Sequence, residues 1–407
     1  MSAPSATEAL LRERSFLLYQ GVRFTAVVAM QMMSVAIGAQ VYAETHDPLA
    51  LGLSGLAQFV PQFLLVLVTG AAADRFPRRA ILVVCHTTIV AVAVALAALS
   101  ASPRLDVPAA YAVLALFGVA RSFAGPAGQA ITPSLVPAEL FARAVGWNAT
   151  TFQIAVALGP ALGGALYRPL GPMRIYALVA VLEMLVVLQL LFVRERPYER
   201  KHGEPPLERI FAGIRYVRDH RVILGSISLD LFAVLLGGAV ALMPVYASDV
   251  LHVGTAGLGA LRAAPAVGAL VVAVVLGLRP IERRAGRTML VAVAIFGVAT
   301  IVFGLSESFV VSLVALFVVG ASDMVSVVVR SIVVQATTPP EMRGRVSAVN
   351  MVFVGASNEL GEFESGLTAR LLGTVTSVVV GGLGTLLVTA YYWARFPELR
   401  DVDRPDG

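Results

Sequence analysis

Ten charged side chains lie inside long apolar stretches of this chain: Arg23, Arg121, Arg262 and Arg330, and Glu183, Asp230, Asp323, Glu359, Glu362 and Glu364. A charge at the centre of a bilayer costs at least about 2.5–3.5 kcal/mol, so each must face a cavity or a partner. Six acids cannot all pair with four arginines. Some carboxyls must therefore be able to take up and release protons, which is the chemistry of a relay rather than of bond breaking.

Spacing sorts the candidates. Gly355, Asn358, Glu359, Glu362 and Gly366 recur at three and four residues, so two carboxylates and an amide share one helical stripe. Such a pair shares protons or recognises a cation; alternatively the helix is shorter and the acids are solvated at its outer end. Asp230 stands about nine residues, or about 13 Å of rise, into its run, where it either carries a proton or pairs with an arginine. Asp323 and Arg330 lie on one face about 10.5 Å apart in rise and could bracket a cavity. Arg121, near the middle of its run, either governs proton release from a nearby acid or forms a structural ion pair. The candidate proton-coupling residues are thus Asp230, Asp323, Glu359, Glu362 and Arg121. The candidate cavity or substrate residues are Arg23, Asn358, Arg262 and Arg330, with Glu183 ranked below both groups.

The elements that must hold them are membrane helices. The chain is 57% hydrophobic and 14% charged, against about 25% charged in soluble proteins. Twelve apolar runs are expected, at roughly 17–43, 49–73, 80–101, 108–131, 141–166, 173–193, 222–247, 254–279, 287–305, 308–335, 346–372 and 373–394. The distribution of Lys and Arg tests this count, because one missed helix would scramble the alternation of basic loops. With the N-terminus in the cytoplasm most of the 31 basic residues fall on that face, so both termini are expected there. The basic balance then follows from loops that face anionic lipid, and no nucleic-acid partner is implied. No signal-peptide pattern precedes the first run. The single cysteine, Cys85, excludes an internal disulfide and reads as a small core residue.

Charges and prolines interrupt the apolar pattern at 194–221, which predicts a six-helix bundle over 1–193, a linker over 194–221, and a second bundle with a short tail over 222–407. Within the linker, Leu207, Ile210, Phe211, Ile214 and Val217 alternate with Arg209, Arg215 and Arg218 at helical spacing. This amphipathic helix is either a solvated tether or a lipid-contacting one. An internal repeat relates the halves: Gln129-Ala130-Ile131-Thr132-Pro133 in the first answers Gln335-Ala336-Thr337-Thr338-Pro339 in the second. Each is followed by an acid, an arginine and then Asn148 or Asn350, as in a parallel duplication.

Between the second and third runs stands Gly70-Ala71-Ala72-Ala73-Asp74-Arg75-Phe76-Pro77-Arg78-Arg79. This short charged turn resembles the signature loop of the major facilitator superfamily of transporters. Arg121-x-x-x-Gly125 in the fourth run partly matches a second motif of that family, with Ala124 in place of the usual glutamine. Gly159-Pro160-Ala161-Leu162-Gly163-Gly164 in the fifth is similar to the motif of its antiporters, with Ala155 where the first glycine would stand. The resemblance spans the whole chain and looks nearest to bacterial drug and siderophore exporters. It implies an all-α membrane fold of twelve helices in two pseudo-symmetric bundles. Gly159, Pro160, Gly163 and Gly164 would form a bent pivot in close contact with a helix of the other half. Gly70, Asp74, Arg75, Arg78 and Arg79 would form a cytoplasmic gate, Asp74 latching onto the start of the eleventh helix near Arg345. Gly277 to Arg287, the matching segment of the second half, keeps Arg283, Arg284 and Arg287 but has no corresponding Asp, so the latch is expected to be one-sided.

No enzyme is expected. The five histidines, His46, His86, His202, His220 and His252, have no metal-binding spacing, and neither a Walker loop nor Gly-x-Ser-x-Gly occurs. Neither a cofactor nor a metal is implied. The expectation is a proton-coupled antiporter of the bacterial inner membrane, working as a monomer in contact with membrane lipid and exporting amphiphilic drugs or siderophores. The alternatives are a lipid or lysolipid transporter and a non-transporting sensor or scaffold on the same fold.

Overall fold

The computed structural model describes residues 6–102, 105–196, 206–279, 281 and 284–402, and among these the structure is helix and turn without a strand. A short helix at Ala6–Leu11 precedes α1 (Arg14–Thr45), α2 (Pro48–Arg75), α3 (Arg78–Leu99), α4 (Val107–Ala130) and α5 (Phe141–Phe192). Then follow α6 (Pro206–Asp219), α7 (Arg221–Leu236), α8 (Gly254–Leu278), α9 (Ala285–Leu305), α10 (Phe309–Thr337), α11 (Pro340–Leu372), α12 (Thr374–Arg395) and α13 (Pro397–Arg400).

Ten helical stretches are long and apolar enough to cross a bilayer. The stretch containing α5 holds two crossings. At Gly171 the backbone takes φ 75° and ψ 166°, a region essentially open only to glycine, and Pro169 and Pro172 flank it, so α5 turns there into a second limb. α11 falls outside the ten because Glu359, Glu362 and Glu364 break its apolar character. With α11 and both limbs of α5 included, the described helices are consistent with the twelve expected runs. Large apolar side chains such as Leu64, Phe192, Leu278, Leu371 and Leu387 are exposed on these helices, as in a multi-pass membrane protein whose outer surface meets lipid.

The chain divides into two compact units, residues 1–44 with 57–203, and residues 45–56 with 204–407. The beginning of α2 is thus counted with the second unit and the remainder with the first. In unit 1, Phe16, Tyr19 and Val22 of α1 pack with Leu82 of α3, Ile131, and Val186 and Leu190 of α5. The segment after α5 is stitched back onto this core. Glu195 Oε1 accepts a hydrogen bond from Arg79 N at 2.6 Å, Arg79 Nη1 donates to Val193 O at 3.1 Å, and Arg196 forms an ion pair with Glu13 at 2.9 Å. Glu195 thereby serves as the missing N-terminal cap of α3, and its negative charge complements the helix dipole. Replacing Glu195 by alanine should lower stability by about 1 kcal/mol, read as a downward shift in the thermal unfolding of purified protein; an unchanged transition would deny the cap that role.

Unit 2 is held by glycines that let helix backbones touch. A Cβ at Gly268 of α8 would lie 2.0 Å from Phe317 O, and one at Gly320 of α10 would lie 1.9 Å from Pro265 O, so α8 and α10 meet backbone to backbone at two reciprocal points. α7, expected as one run to about residue 247, is instead interrupted. It ends at Gly237 and gives way to a 3-10 turn at Ala239–Leu242 and a π turn at Tyr246–Val250. Gly238 lies where a Cβ would come within 2.6 Å of Gly361 O, so the break is set by the close approach of α11. Beyond α12, α13 tucks under the unit: Leu399 is fully buried, Arg221 pairs with Glu398 at 2.8 Å, and Gly286 N donates to Val402 O at 3.2 Å. Side-chain hydrogen bonds from Arg400, then Arg287, hold the exposed Asp401 carboxyl below its usual range, so this contact is present at neutral pH and is lost as acid protonates the group.

The linker helix α6 is amphipathic but spends part of its apolar stripe on α11. Val217 packs with Ile223, Val346 and Val349, and Gly213 sits where a Cβ would approach Arg345 O to 2.7 Å. Phe211 and Ile214, beside Arg215 and Arg218, remain exposed. The side chains of Leu207, Arg209 and Ile210 lie outside the described residues, as does Arg283.

Candidate functional site

In unit 2, α7 and α10 bring together three of the charges singled out above. Asp230 stands on the buried side of α7, and α10 presents Asp323 and Arg330 two turns apart on one face. Arg330 Nη1 donates to Asp230 Oδ2, with both side chains almost completely buried. The void beside them has about 10 Å³ of room, close to the minimum for one water, and is lined by Asp230, Ser322, Asp323 and Ser326 with Ala233, Val234, Val293 and Phe296. The Ser326 hydroxyl and Arg330 Nε are buried there with no hydrogen-bond partner among the described residues. One arginine thus neutralises one of two acids across a water-sized space. That arrangement can hold a proton on the second acid and pass it through a single water.

A second acidic group lies on α11. A Cβ built on Gly55, at the start of α2, would come within 2.8 Å of Glu362 Oε2 and 3.8 Å of Glu359 Oε2, so both carboxylates gather against that backbone. Gly52 approaches Phe363 Cα, and Gly366 approaches Pro48 O, at 3.1 and 2.8 Å from a Cβ. Asp47 and Arg370 close the same seam with an ion pair at 3.3 Å. Arg262 of α8 feels the charge of Glu362. The two acids are therefore packed at a helix seam rather than solvated at a frayed helix end. Asn358 does not join them: its Nδ2 donates back to Val354 O at 2.9 Å.

The unit 1 candidates are scattered. Arg23 bonds the Tyr19 side chain, whose hydroxyl donates to Gly128 O at 2.7 Å, and Arg121 lies over the Phe117 ring at 5.6 Å. Gly159 and Gly163 do make a close contact, but with α1 of the same unit: a Cβ at each would fall 2.5 Å from Gln31 Cβ and 2.9 Å from Met32 Cα. Pro160 and Gly164 are buried beside them, and helical backbone continues through Pro160, the non-helical angles in α5 being confined to Gly171. In the loop between α2 and α3, a Cβ at Gly70 would meet nothing described within 4 Å, Arg75 lies over Phe76 at 5.9 Å, and Arg78 and Arg79 begin α3. The Asp74 side chain lies outside the described residues.

A polar network in unit 1 carries the sequence repeat. Asn148 Nδ2 donates to Thr132 Oγ1 at 2.9 Å, Gln20 Nε2 to Asn148 Oδ1 at 2.6 Å, and Thr151 Oγ1 to Gln20 Oε1 at 2.7 Å. Their counterparts in unit 2, Thr338 Oγ1 and Asn350 Oδ1, are buried and without a partner among the described residues. Sequence reading missed Gln20, which gives no signal beyond being an uncharged amide in an apolar run.

Long apolar helices that enclose buried ion pairs and a small polar void define a multi-pass membrane protein. Comparison with known proteins makes that class specific. The Major Facilitator Superfamily profile matches residues 21–361, and the chain belongs to that family. It is a secondary transporter and not an enzyme. The enterobactin exporter EntS of Citrobacter koseri is 26% identical over 383 residues, covering 94% of this chain and 92% of that protein. EntS of Escherichia coli O1:K1 / APEC is 25% identical over 378 residues, 93% and 91% of the two chains. Among solved structures, a D-xylose-proton symporter superposes with a TM-score of 0.72 at 16% identity, covering 96% of this chain and 99% of that one. A bacterial homolog of the human lysosomal transporter Spinster, inward-facing and unoccupied, gives 0.71 at 16% identity over 98% and 99%.

Proposed function

We propose that this protein is a proton-coupled antiporter that exports a siderophore or a similar amphiphilic small molecule from the bacterial cytoplasm by alternating access, with residues 1–193 and 222–407 as its functional halves and 194–221 as their linker. The observation that carries the coupling is the buried group of Asp230, Arg330 and Asp323 around a water-sized void. Arg330 fixes one acid as a counter-ion and leaves Asp323 to exchange a proton. When Asp323 is charged, two acids face one guanidinium; when it is neutral, the charges balance, so cargo and proton can compete through the same electrostatic account. The siderophore reading rests on relatives named as enterobactin exporters that match over almost their whole length. Arg23 and Arg262 are our candidates for contact with an anionic cargo, Arg330 being committed to Asp230, and Glu359 and Glu362 serve as a second acidic pair at the α2–α11 seam. Both termini are cytoplasmic in this reading, and the protein works as a monomer in the inner membrane. Cells that accumulate their own siderophore when the protein is deleted, and that lose this phenotype on complementation, support the cargo; unchanged intracellular siderophore would remove it.

A further inference from the structure

Unit 1 contains an ionisable pair that the unit 2 mechanism does not use. His86 of α3 and Glu183 in the second limb of α5 meet at 2.7 Å, Nδ1 to Oε2, with Glu183 fully buried and His86 about 5% exposed. Glu183 Oε1 is buried with no partner among the described residues. His86 is eight residues from the start of α3 and Glu183 nine from the end of α5, about 12 and 13.5 Å of helical rise at about 1.5 Å per residue, so the pair sits deep in the seam. The other titratable or charged side chains on the spans around it are Arg78, Arg79 and Cys85 on α3, Tyr111 and Arg121 on α4, Arg143, Tyr167, Arg168, Arg174 and Tyr176 on α5, and Arg14, Tyr19, Arg23, Tyr42 and Glu44 on α1. Among the described residues none of them hydrogen-bonds or ion-pairs with either member.

We propose that His86 and Glu183 form a proton-binding site of unit 1, distinct from the acids of α7 and α10, whose occupancy is tied to the opening and closing of the α3–α5 seam. With one shared proton the pair is neutral overall, and that proton can shift between Nδ1 and Oε2. Losing it leaves a carboxylate with a bare Oε1; gaining a second leaves an imidazolium beside a neutral acid. Either lone charge is disfavoured in a dry seam, so the closed seam holds the singly protonated pair and an opened seam releases or takes up a proton from water. The orphaned Oε1 supports this: a purely structural tie would satisfy both oxygens.

The test is pH-difference infrared spectroscopy of the full-length protein in lipid vesicles. A titrating carboxyl component, a band separate from that of Asp323 and shifted by D₂O, is expected in the parent protein and in Asp323→Asn, lost in Glu183→Gln, and displaced in its pH midpoint in His86→Gln. Should the single variants unfold, the double variant His86→Met/Glu183→Leu leaves no lone polar group and is expected to fold and lack the band. A carboxyl difference spectrum identical to the parent's in Glu183→Gln or in the double variant overturns the proposal, as does a midpoint unmoved in His86→Gln. Because the band reports proton binding whether or not transport is coupled to protons, its outcome is separable from that of the export reading.

Discussion

Replacing Arg330 by alanine should abolish coupled transport and destabilise the protein by about 3–5 kcal/mol, because it strips the counter-ion from a buried carboxylate. Asp230 would then either remain charged without a partner or become protonated; both are costly in a site with room for about one water. The double variant Asp230→Asn/Arg330→Gln removes both charges and should recover most of the stability while staying uncoupled. That contrast separates the pair's structural contribution from its role in transport. Asp323→Asn is expected to behave differently again: near-normal unfolding temperature, with efflux no longer responsive to the proton gradient. Thermal unfolding in detergent and gradient-driven flux in vesicles, measured on the three variants and the parent, check the pattern. A stable, fully coupled Arg330→Ala protein would contradict it.

The second large effect lies in packing. Gly320→Val should leave little folded protein, since even the first added carbon would sit 1.9 Å from Pro265 O and no side-chain rotation can relieve a clash with backbone. Gly320→Ala should be less severe, costing about 1–3 kcal/mol as α8 and α10 move apart. Gly277→Ala and Gly125→Ala, where an added Cβ meets nothing within 4 Å, are the controls and should be nearly neutral. Fluorescence-detected size exclusion after a temperature series gives the ranking directly. Equal behaviour of Gly320→Ala and Gly277→Ala would mean that the α8–α10 contact carries no strain.

The family and the helical plan were legible in the sequence because bilayer length and loop charge leave few alternatives. Asp230, Asp323 and Arg330 were legible as buried charges; that Asp230 and Arg330 pair was not, since they are 100 residues apart and only the packing of α7 against α10 joins them. The break in α7 had a local signal in the doublet Gly237-Gly238, but its cause, the approach of Gly361, is a tertiary contact. Glycines behave likewise. Gly159 and Gly163 announce a close approach without naming α1 as the partner, and Gly70 announces one that the described structure does not make. Glu195 looked like part of a solvated charge run, yet it caps α3, because capping depends on where the chain returns rather than on its neighbours in sequence. His86 read as a histidine without a metal partner; Glu183, 97 residues away, is what gives it a role.

The central claim is coupling of export to protons through the α7–α10 acids. Inverted membrane vesicles from cells that make the protein can be given an inside-acid pH gradient, and accumulation of a labelled siderophore followed before and after a protonophore is added. The account expects accumulation that collapses with the gradient and is absent in Asp323→Asn; accumulation that proceeds equally with and without the gradient would contradict it.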